Sequence, residues 1–308
     1  MPDTFFTEPP HWRWLIVLYF FIGGIAGGCF FLAALLHLFG REGDRGIVRT
    51  GYYVALIGVA ISGILLIVDL DRPERFWHMM IQNKTGRLMF KYWSPMSVGV
   101  WGLLAFGLFA FLAALGALHD DGRVRFGVAG RLARRPVSTI IAIAGGVAGF
   151  FLAGYTGVLV TGTSIPVWHN AWLMGALFLL SAASTSYALL MLMLMYHGRA
   201  HHDPTVDKLA RGDRSAILLE IAVLTAMLLL LGAVARPLIA GGFGVIFWLG
   251  VVIVGLLAPL VLHGLPWGRL TAERRAMLAA ACVLVGGLCL RFVIVMAPQY
   301  PMVSPWAL

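Results

Sequence analysis

The chain has 308 residues, of which 60% are hydrophobic and 12% are charged, and its mean hydropathy is +0.88. Soluble domains are far less apolar, so the composition predicts an all-α integral membrane protein. The formal net charge of +9 does not indicate a nucleic-acid-binding protein, because basic residues of membrane proteins concentrate on the face that meets anionic lipid.

Eight apolar stretches are long enough to cross the hydrocarbon layer, which takes about 20 residues. Polar segments or Pro and Gly breaks separate them, so we expect a single membrane domain over residues 1–308 without a soluble domain. The predicted helices are 14–39, 50–70, 95–118, 138–161, 171–196, 215–238, 242–263 and 276–297.

Basic residues concentrate in the loops after the first, third, fifth and seventh predicted helices. The positive-inside rule makes these loops cytoplasmic and places both termini on the extracytoplasmic side of a prokaryotic inner membrane. The loop after the second helix departs from this pattern, because it is also basic and contains aromatic residues. We expect it to lie in the membrane interface or against a partner. Its basic residues are Arg72, Arg75, Lys84, Arg87 and Lys91.

The cysteines and histidines argue against a metal centre within this protein. Cys29, Cys282 and Cys289 fall inside predicted helices without C-x-x-C spacing, so we expect no iron–sulfur cluster to be bound by this protein alone. Haem b needs imidazoles deep in the helices. The histidines lie at helix ends or in loops, so no haem is expected. They are His11, His37, His78, His119, His169, His197, His201, His202 and His263.

Several polar side chains enter the membrane near one end of the predicted bundle. A charge near a helix centre costs about 3 kcal/mol on insertion scales, so such residues usually face a cavity or a partner. With a rise of about 1.5 Å per residue, four helices bring these side chains to a similar depth. This layer suits the polar headgroup of a lipid-soluble ligand such as a quinone. Its members are Tyr19, Asp69, Tyr155, Thr156 and Arg291.

Each member of this layer has a simpler interpretation. Tyrosine is enriched at membrane interfaces, so Tyr19 or Tyr155 could be an anchor. Asp69 could be the counter-ion of Arg291. Both alternatives stay open at the level of sequence.

Glu220 lies about one turn inside the predicted sixth helix. It could reach the cytoplasmic interface or pair with Arg211 or Arg214. It could instead begin a proton route that continues along hydroxyl side chains on one face of the fifth helix. These hydroxyls belong to Ser181, Ser184 and Thr185.

Six short motifs follow one another along the eight helices. They are YFFIGGIAGG at 19–28, DLDRP at 69–73, SPMSVG at 94–99, GYTGVL at 154–159, PVW at 166–168 and GGLCLR at 286–291. With these motifs in this order, the chain resembles the NrfD/PsrC family, the quinone-reactive membrane subunits of polysulfide-reductase-type respiratory complexes. The resemblance extends over nearly the whole length.

The resemblance implies a ligand and a set of partners. Menaquinone or ubiquinone would bind toward the extracytoplasmic face and exchange electrons with a ferredoxin-like iron–sulfur subunit. A molybdopterin-containing catalytic subunit would lie beyond it, in a complex for anaerobic respiration that could itself dimerise. Apart from membrane lipid, no other partner class is implied.

The resemblance also implies roles for particular residues. Tyr155 would hydrogen-bond a quinone carbonyl, and Asp69 would donate or accept a proton. Tyr19 and Ile16 stand where some relatives have a histidine and an asparagine, so a different group would contact the second carbonyl. The candidates are Arg72, Ser94 and His169.

Two other functional classes fit parts of the sequence. An ion or solute transporter would use Asp69, Glu220 and Arg291 as its path. However, the Pro and Gly breaks lie mostly at helix ends, and no convincing repeat relates the two halves. A purely structural membrane anchor is the other alternative.

Overall fold

The computed structural model describes residues 12–196, 204–264 and 271–300. Eight helices in these ranges are long and apolar enough to cross a membrane, which confirms the predicted all-α membrane fold. They are α1 Trp14–Phe39, α2 Arg45–Asp69, α3 Pro95–Asp120, α4 Val137–Thr161, α5 Met174–Tyr196, α6 Pro204–Leu231, α7 Gly241–Gly264 and α8 Ala272–Met296.

The sixth helix differs most from its predicted bounds. It begins at Pro204, well before the predicted start at residue 215. The early turns contain charged residues, which conceal the helix from a search for apolar stretches, but they are amphipathic and bury Leu209 and Asp213. Glu220 consequently lies about 24 Å along the helix axis from its start, rather than one turn in.

The eight helices build two apolar cores, and α1 contributes to both. Buried side chains of α1, α2, α3 and α4 make one apolar core, and buried side chains of α1, α5, α6, α7 and α8 contribute to the other. We call these groups the α1–α4 half and the α5–α8 half. Helix α1 is therefore central to the bundle, although α4 also packs directly against α5 through Gly157 and Gly175.

Glycines of α1 allow it to pack closely against helices of both halves. A Cβ at Gly27 would lie 3.3 Å from the backbone nitrogen of Ala153 on α4, and one at Gly28 would lie 2.8 Å from the carbonyl oxygen of Ala182 on α5. Side chains at either position would push a neighbouring helix away. The glycines of the YFFIGGIAGG motif therefore allow α1 to contact both halves closely.

Contacts between helix ends establish an up-and-down bundle. We call the face where α1 begins the upper face and the face where α1 ends the lower face. At the upper face, the Trp12 amide donates to Gln299 at 2.7 Å, and the Trp168 indole donates to the Ile294 carbonyl at 2.7 Å. At the lower face, Lys208 pairs with Asp44 at 2.8 Å. The PVW motif thus fixes the start of α5 to the end of α8.

Helix α7 is π-helical between Ile246 and Leu257. Within this segment Gly255 packs directly on Gly286 of α8, where neither backbone leaves room for a side chain. The GGLCLR motif therefore contributes to the α7–α8 contact. The histidines His11, His197, His201 and His202 lie outside the described residues.

Candidate functional site

Polar side chains from three helices meet near the upper end of the α1–α4 half. Tyr19 of α1 is 3% exposed, and its phenol lies within electrostatic range of the Tyr155 phenol of α4. Ser62 of α2 is fully buried beside them, since a Cβ at Gly23 would lie 3.3 Å from the Ser62 hydroxyl oxygen and 3.6 Å from the Tyr19 ring. The structure therefore brings the two predicted phenols into one neighbourhood.

Helix α3 positions Tyr155. Its hydroxyl donates to the carbonyl of Pro95, and its ring lies against Gly99, where a Cβ would overlap the phenol. Phe151 stacks on the other side at 5.3 Å between ring centroids. The SPMSVG motif at the start of α3 thus supplies both the acceptor for this phenol and the space that it occupies.

Two buried oxygen atoms near the upper end of α2 lack partners. Neither Asp69 Oδ1 nor Ser62 Oγ has a hydrogen-bond partner within the described ranges. The two residues are seven positions apart, which places them on the same face of the helix, two turns from each other. Since buried polar atoms in proteins are nearly always hydrogen-bonded, these atoms indicate a place where a ligand or water would bind.

The alternative in which Asp69 is the counter-ion of Arg291 does not hold, because no ion pair joins them in the described part of the protein. The opposite charge that acts on Asp69 is that of Arg13, which precedes α1 at the upper face. Arg291 lies against α5 and contacts the other side of α1, where a Cβ at Gly24 would be 3.4 Å from its Nη2. Depth along the helices correctly places both residues toward the upper face, but depth does not specify which side of a helix a residue occupies.

The other residues predicted to contact the quinone do not lie together beside Tyr19 and Tyr155. Thr156 is buried, but its hydroxyl donates within its own helix to Ala153 at 3.1 Å. Ser94 accepts from the Ser97 amide as the cap of α3. Arg72 is exposed after α2. His169 lines a groove of about 500 Å³ between α4 and α5, whereas Tyr155 is turned toward α3.

The buried charges of the α5–α8 half form a separate group. Arg291 donates to the Ser181 hydroxyl at 2.6 Å and to the carbonyls of Gly287 at 3.0 Å and Phe178 at 3.3 Å. The Ser184 hydroxyl donates to Glu220 at 3.1 Å. The electrostatic partner of Arg291 is therefore Glu220, across the two serines that the sequence placed on one face of α5.

Glu220 is 3% exposed. It forms no ion pair with Arg211 or Arg214 within the part of the protein that the structure describes, so both simpler interpretations of this residue are wrong. Seven residues earlier on α6, Asp213 faces His263 of α7 at 3.4 Å near the lower face. Acidic groups on one side of α6 thus extend from the lower end of the bundle toward its middle.

Sequence reasoning missed Ser62, Asp213 and His263. Ser62 resembles any small residue in an apolar helix, and only its contact with Tyr19 and Gly23 makes it notable. Asp213 precedes the apolar stretch, so the hydropathy pattern places it in a loop. Its spacing of seven from Glu220 was the available signal, since it places both carboxylates on one helix face.

Comparison with known proteins agrees with this architecture. The family profile described as "Polysulphide reductase, NrfD" matches residues 3–302. The protein belongs to the NrfD family. It is 30% identical over 312 residues to the C subunit of polysulfide reductase from Wolinella succinogenes, with 94% of each sequence covered. It is 30% identical over 323 residues to protein NrfD of Escherichia coli, with 96% of this sequence and 98% of the relative covered.

A third relative, the NrfD homolog of Haemophilus influenzae, is 27% identical over 318 residues, with 97% of each sequence covered. Family members therefore match this protein from end to end, including all eight helices. The protein is a multi-pass membrane subunit of the kind found in reductase complexes.

Proposed function

We propose that this NrfD-family protein is the quinone-reactive membrane subunit of a respiratory oxidoreductase. It would exchange electrons between a membrane quinone or quinol and an iron–sulfur partner subunit. The observation that carries this proposal is the set of buried polar atoms at the upper end of the α1–α4 half: two phenols within electrostatic range of each other, the unpaired Ser62 Oγ beside Tyr19, and the unpaired Asp69 Oδ1 two turns further along α2. The family relationship supports it.

The chemistry of this group fits a quinone headgroup. Quinone carbonyls accept hydrogen bonds, and Tyr19, Ser62 and Tyr155 carry hydroxyls that donate them. Binding through Tyr155 requires that its hydroxyl exchange the Pro95 carbonyl for the ligand. A preorganised phenol stabilises an oxygen as it gains negative charge.

Asp69 is proposed as the proton-exchanging group. Two-electron quinone chemistry consumes or releases two protons, so a carboxyl group must communicate with both the site and the aqueous phase. Asp69 ends α2 at the upper face, is partly exposed, and has one buried oxygen. That position suits a side chain that takes a proton at one oxygen and passes it to water.

The segment after α2 is proposed to contact the iron–sulfur subunit. Residues 70–94 expose several large aromatic side chains at the upper face, together with basic groups. Large exposed apolar patches mark interaction sites. We place this face on the extracytoplasmic side, with the molybdopterin subunit beyond the iron–sulfur subunit. The exposed aromatic residues include Phe76, Trp77, Phe90, Tyr92 and Trp93.

The α5–α8 half is proposed to conduct protons from the lower face. Asp213 and His263 would exchange protons there, and Glu220 would relay them to the serines beside Arg291. Carboxylates inside membrane helices commonly serve in such relays. An ion transporter would use the same residues, but it would not require the phenols of the α1–α4 half.

The variant Asp69→Asn in the assembled complex tests the proposal. Asn keeps the shape of the side chain but does not exchange protons, so quinone turnover should fall at least about 100-fold. The measurement is quinol- or quinone-dependent turnover of the purified complex. Asp71→Asn is the matched control, since it removes an exposed carboxylate two residues away and should leave turnover near normal.

Near-normal turnover of Asp69→Asn would remove this residue from the mechanism. A complex that assembles normally but shows neither quinone-dependent activity nor bound quinone would identify the protein as a structural anchor. Normal quinone turnover in Tyr19→Phe/Tyr155→Phe would show that the quinone reacts elsewhere.

A further inference from the structure

A cavity of about 870 Å³ opens at the lower end of the α1–α4 half, opposite the proposed quinone site. Its volume lies within the range of about 300–1,000 Å³ that is typical of ligand sites. Small and apolar side chains form its floor, including Val48, Ala113 and Ile141. Arginines from the α1–α2 connection, α2 and the segment before α4 form its rim. They are Arg41, Arg45, Arg49 and Arg135.

The rim carries excess positive charge. Four arginines line the cavity against two carboxylates, Glu42 and Asp120. Arg45 pairs with Glu42 at 3.0 Å, and Arg49 pairs with Asp121. By contrast, Arg41 and Arg135 make no ion pair with any carboxylate of the described ranges. These two guanidinium groups remain available to an anion.

The Tyr52 hydroxyl is independent evidence for a ligand. Tyr52 is 5% exposed and lines the cavity, with its ring held against Phe30 at 4.9 Å between centroids. Its hydroxyl makes no hydrogen bond within the described part of the protein, although buried hydroxyls are usually paired. A polar atom of a bound molecule would satisfy it.

We propose that this cavity binds an anionic phospholipid, with the phosphate at the arginine rim. Guanidinium groups match the geometry of phosphate oxygens and bind them bidentately. From Arg45 to Tyr52 the cavity descends about 10 Å along α2. The arginine rim and the apolar floor follow the order of groups in a phospholipid, whose phosphate lies at the membrane surface and whose apolar part extends toward the membrane centre.

The floor distinguishes a lipid from inorganic phosphate. The rim alone would hold a free phosphate ion, which would leave the apolar floor beside Val48 and Ile141 unfilled. A phospholipid uses both parts, and its glycerol ester oxygens would lie near the depth of Tyr52. The lipid site shares no residue with the proposed quinone site, so a negative result for one proposal would not contradict the other.

Native mass spectrometry of the full-length protein, delipidated in detergent, tests this site. With added phosphatidylglycerol, the double variant Arg41→Gln/Arg135→Gln should retain about tenfold less lipid than the unaltered protein. Retention of phosphatidylcholine should not depend on these arginines to the same extent. The control is Arg123→Gln/Arg125→Gln, which removes the same charge from exposed positions on the same face outside the cavity.

A second variant tests the floor without changing the charge. Tyr52→Phe should lower phosphatidylglycerol retention about threefold, which is the scale of one hydrogen bond. Equal losses in the two arginine double variants would show general attraction to the lower face and would overturn the proposal. Thermal protection by millimolar inorganic phosphate, with none from phosphatidylglycerol, would also overturn it and assign the rim to a soluble anion.

Discussion

The two halves of the molecule bury different kinds of polar groups. In the α5–α8 half, Arg291 faces Glu220 across Ser181 and Ser184, and Asp213 faces His263. In the α1–α4 half, the buried polar groups near the upper end are hydroxyls and one carboxyl group, and Ser62 Oγ and Asp69 Oδ1 have no hydrogen-bond partner in the described structure. The first half therefore places acidic groups opposite basic ones, although both Asp213 oxygens, His263 Nε2 and Arg291 Nε lack hydrogen bonds there, whereas the upper end of the second half presents mainly hydroxyl groups.

This contrast has a physical basis in the membrane. Lipid tails offer no hydrogen bonds, so a polar atom in the hydrocarbon layer must pair within the protein, with water or with a ligand. Charged groups that pair within the protein can stabilise the helix bundle or relay protons. Hydroxyl groups can donate hydrogen bonds to a ligand, and both proposed binding sites lie in the α1–α4 half, where tyrosine hydroxyls are available.

The largest expected effect comes from separating the charges of the α5–α8 half. Glu220→Gln or Arg291→Gln alone leaves an uncompensated buried charge, which should cost about 3 kcal/mol of stability. The double variant Glu220→Gln/Arg291→Gln should recover part of this loss, because neither charge remains. Thermal unfolding of the detergent-solubilised protein measures the effect.

The control for this cycle is Asp207→Asn, which removes an exposed carboxylate from the same helix and should have little effect. If the losses of Glu220→Gln and Arg291→Gln simply add in the double variant, the two charges are not coupled. The contrast between the halves would then lose its main support.

The next effect concerns the space that holds Tyr155. In Gly99→Ala the new methyl group would overlap the phenol, so the ring must move away from Pro95. Overpacking of this kind costs about 1–3 kcal/mol. We expect lower quinone turnover from a complex that still assembles.

Gly107→Ala on the same helix is the matched control for Gly99→Ala. The nearest atom to its new methyl group would be in Val59 at 3.8 Å, an ordinary contact. Equal turnover in the two variants would show that the position of Tyr155 does not affect the site.

The sequence predicted the helices well because its strongest signal is the length of each apolar stretch. It also placed Tyr19 and Tyr155 in one layer, since both are polar residues at similar depth. It failed where the angle around a helix decides the outcome. Depth grouped Asp69 with Arg291, but α1 lies between the two halves, so Arg291 contacts α5 while Asp69 lies near Arg13.

The sequence also failed where charged residues begin a membrane helix. The turns before residue 215 resemble a loop in any hydropathy profile, because Asp207, Lys208 and Arg211 interrupt the apolar pattern. Only packing against α5 and α7 explains why Asp213 is buried there. The cavity beside Tyr52 could not be predicted from the sequence either, since it depends on the spacing between the lower ends of four helices.

A smaller effect is expected from the Tyr155 hydroxyl itself. Tyr155→Phe keeps the ring and its stacking on Phe151 but removes one hydrogen-bond donor, so quinone turnover should fall about tenfold. Steady-state kinetics at several quinone concentrations measure it. Tyr53→Phe removes a phenol hydroxyl that bonds Asp121 at the lower face and should leave turnover unchanged. Equal kinetics in the two variants would place the quinone carbonyls away from Tyr155.

The smallest effect separates two roles of Ser94. The structure shows its hydroxyl as the cap of α3, and replacing such a cap by alanine costs about 1 kcal/mol. Ser94→Asn preserves a capping oxygen, so it should restore the stability that Ser94→Ala loses, as measured by thermal unfolding. If Ser94 acts only as a cap, both variants should keep near-normal quinone affinity. An equal affinity loss in Ser94→Ala and Ser94→Asn, despite restored stability in Ser94→Asn, would show direct contact with the ligand, because loss of the hydroxyl is what the smaller and the larger side chain have in common.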